Sequence, residues 1–297
     1  MSRTAQAVRN RTTKGIPKFP IFLRTLAGKT SRKALFRYLR TVTRDFFWLQ
    51  FSVKFGFRKI PILDVDHPLD NLVPFTPERV GTYLDFVAFW IRPIGYIGKR
   101  FGPRAERETV TALLDLINRC YTEAANVYRY RMTTTKRPKY YKGSFLTIHL
   151  FDPHYLCVPS LHVIVVVFAY TFYRKRFREL GMEAEEAEAL NRELYAGAVS
   201  IVETVLYIKQ HSVNCIPAAL YAMTRITPDE VTPSEVIGFT GSLFAKAEDV
   251  APETAEKIRN HIEETYERLL LEGCHDEDWI APLQRWLNAY SAEGFVH

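Results

Sequence analysis

The stretch Leu156–Tyr173, LCVPSLHVIVVVFAYTFY, decides how the rest of the chain is read. It opens with Pro159, Ser160 and His162 and runs nearly without charge to Tyr173, where Arg174, Lys175 and Arg176 stop it. A histidine at the mouth of a chain's most apolar run is either a core filler or a positioned acid or base. The run is about as long as a membrane-spanning helix needs, roughly 20 residues. It equally suits the central helix of a large helical domain, buried in protein.

Upstream lies the basic loop Thr133–Lys142, TTTKRPKYYK, in which Pro138 favours an extended backbone at Arg137. Residues 104–131 carry Val110, Leu113, Leu114 and Ile117 at helical spacing with acids near the start, which predicts a helix. The apolar run Val80–Ile97 is interrupted by Asp85 and Arg92, each costly alone in lipid, and Gly98–Pro103 is expected to break the chain. Residues 61–79, with four prolines and three aspartates, read as a loop. In residues 31–60, Leu35, Leu39 and Val42 share a face and Phe46, Phe47, Trp48 and Phe51 follow. With Arg37, Arg40, Arg44 and Lys54 this is an amphipathic helix, lying at an interface or on a soluble core.

Downstream, residues 174–190 read as a solvated helical connection. A helix over 191–209 presents Leu194, Ala198, Ile201, Val205 and Ile208 on one side and closes at Lys209, Gln210 and His211. A short apolar helix at 212–225 contains Pro217. The tail helices at 251–272 and 279–290 are amphipathic, the first with Ile258, Ile262, Tyr266 and Leu269 on one face. Strand-like alternation is scarce, so the fold class is all-α: a helical bundle with amphipathic N-terminal and C-terminal helices. Three regions are expected: a basic flexible arm at 1–30, the bundle at 31–227, and an acidic helical tail at 228–297 packed on it.

Charge is asymmetric. Met1–Arg44 holds twelve Lys or Arg and no acid, whereas Pro228–His297 holds fifteen acids against five bases. A basic front suits anionic lipid heads, nucleic acid or a solvated surface. Cys120, Cys157, Cys215 and Cys274 are far apart and form no CxxC pair, which favours free thiols. No metal-ligand motif or cofactor fingerprint is present, and neither a metal nor a cofactor is expected.

Three polar clusters flank apolar helices: Lys136–Arg137, Ser160 with His162, and Lys209 with His211. Two cations beside two histidines make a phosphate pocket. The cations would hold non-bridging oxygens, one imidazole would attack phosphorus, and the other would protonate the leaving oxygen. Each cluster alone also reads blandly, as a boundary histidine, a helix C-terminus, or a solvated basic loop.

In order, Lys136-Arg137-Pro138, Pro159-Ser160-Leu161-His162 and Lys209-Gln210-His211 resemble the three signatures of the type 2 phosphatidic acid phosphatase superfamily. The PSLH and KQH forms are nearest its branch of inositol-phosphoceramide synthase-like lipid phosphatases and phosphotransferases. The loop LDNLVPFTP at 69–77, followed by Tyr83, resembles a segment of that branch, and the likeness spans about 63–225. The resemblance implies a helical bundle in which His211 forms a phosphohistidine and His162 is the general acid. Arg137, Lys136, Ser160 and Lys209 would bind phosphate. It implies a lipid phosphate or isoprenoid diphosphate substrate. It also implies an integral or tightly associated membrane protein, and if the chain spans a bilayer its basic front predicts a cytoplasmic N-terminus. Composition alone, with a mean hydropathy of −0.14, favours the buried central helix instead. Nucleic acid is not an expected partner.

The sequence departs from that pattern at three places. Tyr130 and Val205 stand where basic residues are usual, and Cys215 stands where an aspartate orients the nucleophile. A neutral thiol does not stabilise an imidazolium as a carboxylate does. Asn214 and Glu203 are poorly placed to substitute. A catalytically weak relative that binds anionic headgroups or a partner is the alternative reading.

Overall fold

The structure, a computed structural model, describes residues 2–292. Helices α1 (Arg3–Arg9), α2 (Lys18–Ala27) and α3 (Lys29–Thr41) form one layer, and a π-helical turn at Val42–Trp48 leads into α4 (Leu49–Lys54). After a loop come α5 (Val80–Leu84) and the long α6 (Phe86–Tyr130), on which α1, α2 and α3 pack. Then follow α7 (Ser144–Phe151), α8 (Leu161–Glu179), α9 (Ala184–Tyr207) and α10 (Cys215–Ile226). The tail forms α11 (Pro233–Ser242), α12 (Pro252–Gly273) and α13 (Ile280–Ala292), with α12 against α10 and α13 against α6. The protein is all-α, with long helices packed into a bundle.

Helix α8 is the central element and contacts α6, α9 and α10. Val165, Val166, Phe168 and Ala169 point in successive directions around the helix, and none is more than 1% exposed. A helix apolar on every side must be surrounded by something apolar, and here protein supplies it. This corrects the membrane expectation. Leu156–Ser160 is not helical, so the uncharged helical part runs only from Leu161 to Tyr173. At ~1.5 Å per residue that is about 20 Å, short of the ~30 Å hydrocarbon core. Among the described residues no helix is long and apolar enough to cross a membrane. The integral membrane placement, the membrane as partner and the cytoplasmic N-terminus inferred from it are withdrawn. So is the lipid phosphate or isoprenoid diphosphate substrate, which leaned on that placement.

The N-terminal residues are also more ordered than expected. Ala7, Ile16 and Ile21 are buried, and the Thr12 and Thr13 hydroxyls donate to Glu193 at 2.6 and 2.5 Å. Arg24 Nε donates to the buried Glu106 at 2.8 Å. The basic arm is thus pinned to carboxylates of α6 and α9. Within α6 the break falls at one residue, Gly102 (φ 90°, ψ 174°), a conformation suited to glycine, and Pro103 starts the second half.

Two three-residue strands matter more than their size suggests. β1 (Ile62–Asp64) pairs parallel with β2 (Met132–Thr134), Ile62 opposite Met132. Thr133 also bonds the α8 entry: its N–H donates to Tyr155 O at 3.0 Å, and Cys157 N–H donates to its carbonyl at 3.3 Å. The aspartate loop, the basic loop and the mouth of α8 are thereby drawn to one place.

Candidate functional site

Ser160 is the N-cap of α8, its Oγ accepting the Val163 N–H at 3.4 Å. This is the usual work of a serine before a helix. The cap holds the same hydroxyl 3.2 Å from His211 Nε2. In the first turn of α8, His162 stacks on Tyr83 with ring centroids 4.6 Å apart and packs against Phe86. His211 lies in the turn between α9 and α10, where its N–H donates to Val205 O at 3.2 Å. The turn passes through Lys209 in the left-handed region (φ 54°). Its ammonium donates to the carbonyls of Asp70, at 2.5 Å, and Val73, anchoring the turn to the aspartate loop. His211 Nε2 is 3.3 Å from His162 Nδ1. Burial, with His211 alongside, pushes His162 down to about 3, so its imidazole is neutral while the site is empty.

A second set of groups stands beside this pair. Arg137 Nη2 donates to Asp152 Oδ2 at 2.6 Å, and Nη1 donates to the Asp152 carbonyl at 3.1 Å. Asp152 Oδ1 accepts the His154 N–H at 3.0 Å, and Oδ2 faces His154 Nδ1 at 3.7 Å. His154 Nε2 meets Thr135 Oγ1 at 2.8 Å and the Cys157 sulfur at 3.6 Å. Cys157 also lies near Cys215 and His211. Burial alone would raise Asp152, but its hydrogen bond with His154 and the Arg137 charge outweigh it and hold the carboxyl below the usual range. Burial alone would lower His154, yet Cys157 and Asp152 lift it to about 9. Burial opposes ionisation of Cys157, but the Cys215 thiol and His154 outweigh it and bring the thiol well down. Burial, then Cys157, drives Cys215 well up. Arg137, Asp152, His154 and Cys157 thus form one buried chain of polar contacts. His211 Nδ1 and Arg137 Nε are buried and make no hydrogen bond.

His211 opens onto a cavity of about 300 Å³ lined also by Thr135, Lys136, Lys209, Asp66 and Asp70. A phosphoryl group fits that volume. Asp66 accepts the Lys136 N–H at 3.1 Å, and burial is the main cause that pushes its carboxyl up to about 6. Burial also raises Asp70.

Of the residues singled out in the sequence, His211, His162 and Ser160 meet directly. Lys136 and Lys209 line the same cavity, but Lys209 is committed to carbonyls. Arg137 is held by Asp152 instead of facing the cavity. Cys215 is fully buried against Cys157. Asn214 Nδ2 donates to Val65 O at 3.0 Å and its Oδ1 accepts from His261 Nε2 at 2.8 Å, and Glu203 accepts the Phe244 N–H at 2.6 Å, so neither serves His211. Missing from the sequence reading were Asp152, His154 and Cys157. All three sit in FDPHYLC, one residue before the PSLH motif, and an acid, an imidazole and a thiol within seven residues of a motif was the available signal. Comparison with protein-family models, curated proteins and solved structures finds no match for this chain, so the family resemblance gains no support there.

Proposed function

We propose that this protein transfers a phosphoryl group from a phosphate ester through a phosphohistidine on His211, to water or to an acceptor alcohol. The observation that carries the reading is the approach of His211 Nε2 to His162 Nδ1 at 3.3 Å, with the Ser160 hydroxyl at 3.2 Å, beside a cavity holding Lys136. Two imidazoles packed together suit the two halves of a displacement. Nε2 of His211 attacks phosphorus, a P–N bond forms, and the P–O bond to the leaving group breaks. The leaving oxygen takes a proton from His162. An entering phosphate brings the negative charge that lets His162 hold that proton despite its burial. Ser160 donates to a phosphoryl oxygen in place of its bond to His211, and Lys136 neutralises charge. Water or an alcohol then attacks phosphorus, the P–N bond breaks, and His211 is restored. No step requires a metal.

The test is release of phosphate from p-nitrophenyl phosphate by the native chain, with a phosphoramidate resonance on His211 trapped by rapid quench and read by phosphorus NMR. His211→Gln should abolish both. Undiminished turnover in that variant, or no turnover by the native chain across phosphate monoesters, overturns the proposal.

A further inference from the structure

His67 borders two cavities: the one beside His211, and a larger one of about 660 Å³ bounded by α12 and α13. The larger volume suits a small organic molecule and exceeds what a phosphoryl group needs. Hydrogen bonds tie it to the turn that carries His211. Asn214, three residues after His211, accepts from His261 Nε2 of α12 at 2.8 Å and donates to the Tyr290 hydroxyl of α13 at 3.1 Å. The His67 N–H donates to Asp70 Oδ2 at 2.8 Å, and Asp70 Oδ1 accepts the Val213 N–H at 2.7 Å. One turn thus places His211, His67 and both tail helices relative to one another.

The lining has a definite chemistry. Four aromatic rings border the cavity, those of His67, His261, Trp286 and Tyr290. His67 and His261 stack with centroids 4.1 Å apart, and the Trp286 and Tyr290 rings are 5.6 Å apart. Two cations, Arg268 and Arg285, are matched by two carboxylates, Glu264 and Glu272. Arg285 is committed to Asp276 at 2.6 Å, whereas Arg268 approaches Glu272 at 3.8 Å, a looser pair that a ligand can displace. An alkyl chain would desolvate these charges without pairing them, and a second phosphate would meet the carboxylates. A planar, uncharged ring system with hydrogen-bonding edges suits both the aromatic and the charged groups. We propose that this cavity is the subsite for the organic part of the phosphate ester and that this part is a nucleoside, with the phosphate beside His211 and the base among the rings of the tail. The acidic tail then supplies substrate recognition and the bundle supplies the chemistry. The inference rests on the phosphoryl-transfer reading for the reaction, in which the leaving oxygen belongs to the ribose, but binding is measurable without turnover.

The experiment titrates the full chain, as His211→Gln to block turnover, with adenosine, guanosine, cytidine and uridine 5′-monophosphates and with ribose 5-phosphate, by calorimetry. Ribose 5-phosphate carries the same phosphate and sugar without the base. At least one nucleotide should bind tenfold or more tightly than ribose 5-phosphate. Ala289→Trp, which fills the cavity from an exposed helix position, and Arg268→Ala should each bring that preference below threefold while circular dichroism stays native. In the chain with His211 intact, kcat/KM should favour the same nucleotide over ribose 5-phosphate. Nucleotides and ribose 5-phosphate binding equally, or a preference that survives both substitutions, overturns the inference. Turnover of p-nitrophenyl phosphate that needs His211, with nucleotides no better than ribose 5-phosphate, overturns it while leaving phosphoryl transfer standing. Base-dependent binding that Ala289→Trp removes, in a chain that turns over no phosphate ester, supports the subsite and sinks the reaction.

Discussion

His211 Nε2 and His162 Nδ1 lie 3.3 Å apart although 49 residues separate them in the chain. One ring nitrogen can donate to the other along that line, which couples the two imidazoles directly. Burial keeps His162 neutral in the empty site, and the pair is poised for one ring to act as base or nucleophile and the other to deliver a proton.

If His162 protonates the leaving oxygen, its removal should matter most for poor leaving groups. His162→Gln is expected to cut kcat for an alkyl phosphate by about 10²–10⁴. For p-nitrophenyl phosphate, whose leaving group needs no proton, the loss should be far smaller. Equal losses for both substrates would remove the acid role.

Phosphate affinity should follow Asp66, whose carboxyl is pushed up to about 6. Below that pH it is neutral and can donate to a phosphate oxygen. Above it the carboxylate repels the anion. KM for a phosphate monoester is therefore expected to rise as pH increases through about 6, and Asp66→Asn should flatten that rise. A rise of the same size in the variant would assign it to another group.

Stability should have limits on both sides of neutrality. His154 is lifted to about 9 from its ordinary 6.5, so its contribution is full below 6.5 and lost as pH rises through 9. His162 and His261 are lowered to about 3 and about 4. Their folded forms resist protonation, so stability is retained above 6.5 and falls as pH drops towards those values. Urea unfolding from acid to alkaline pH should show a maximum near pH 6.5, where the two limbs meet. His154→Gln should abolish the alkaline limb attributed to this residue.

Asp152→Ala should leave the Arg137 guanidinium and the His154 imidazolium without their anion. Arg137 is 11% and Asp152 25% exposed at the side chain, so little water is available to replace it. The expected cost is about 3 kcal/mol in urea unfolding. A loss below about 0.5 kcal/mol would place the pair among weak surface contacts.

The two cavity lysines should separate. Lys209→Ala removes the cation that joins the α9–α10 turn to the carbonyls of Asp70 and Val73, and should cost about 2 kcal/mol of stability. Lys136 is 63% exposed at its side chain, so Lys136→Ala should change stability by less than about 0.5 kcal/mol and raise KM instead. Calorimetry and initial-rate kinetics on the two variants check both statements.

The helices were legible because helical periodicity is a local property. Val110, Leu113, Leu114 and Ile117 announce α6, and Ile258, Ile262, Tyr266 and Leu269 announce α12, whatever they pack against. The histidine pair was legible as two motifs at the edges of apolar segments. The Asp152–His154–Cys157 group was not, because polar residues in an irregular loop carry no period, and their meaning depends on which side chains the loop meets. Cys215 was visible as a departure. That its side chain is fully buried was not.

By itself the sequence determined an all-α chain, its helix faces, its basic front and acidic tail, and the polar clusters at the edges of its apolar segments. Only the tertiary structure decided that the apolar run of α8 is enclosed by α6, α9 and α10, that Lys209 is spent on carbonyls, and that His211 meets His162 and Ser160. The reason is physical. Hydropathy measures how strongly a segment avoids water, and it has the same value whether lipid or protein replaces that water. The charge and reach of a side chain likewise acquire a partner only when the fold brings distant segments together.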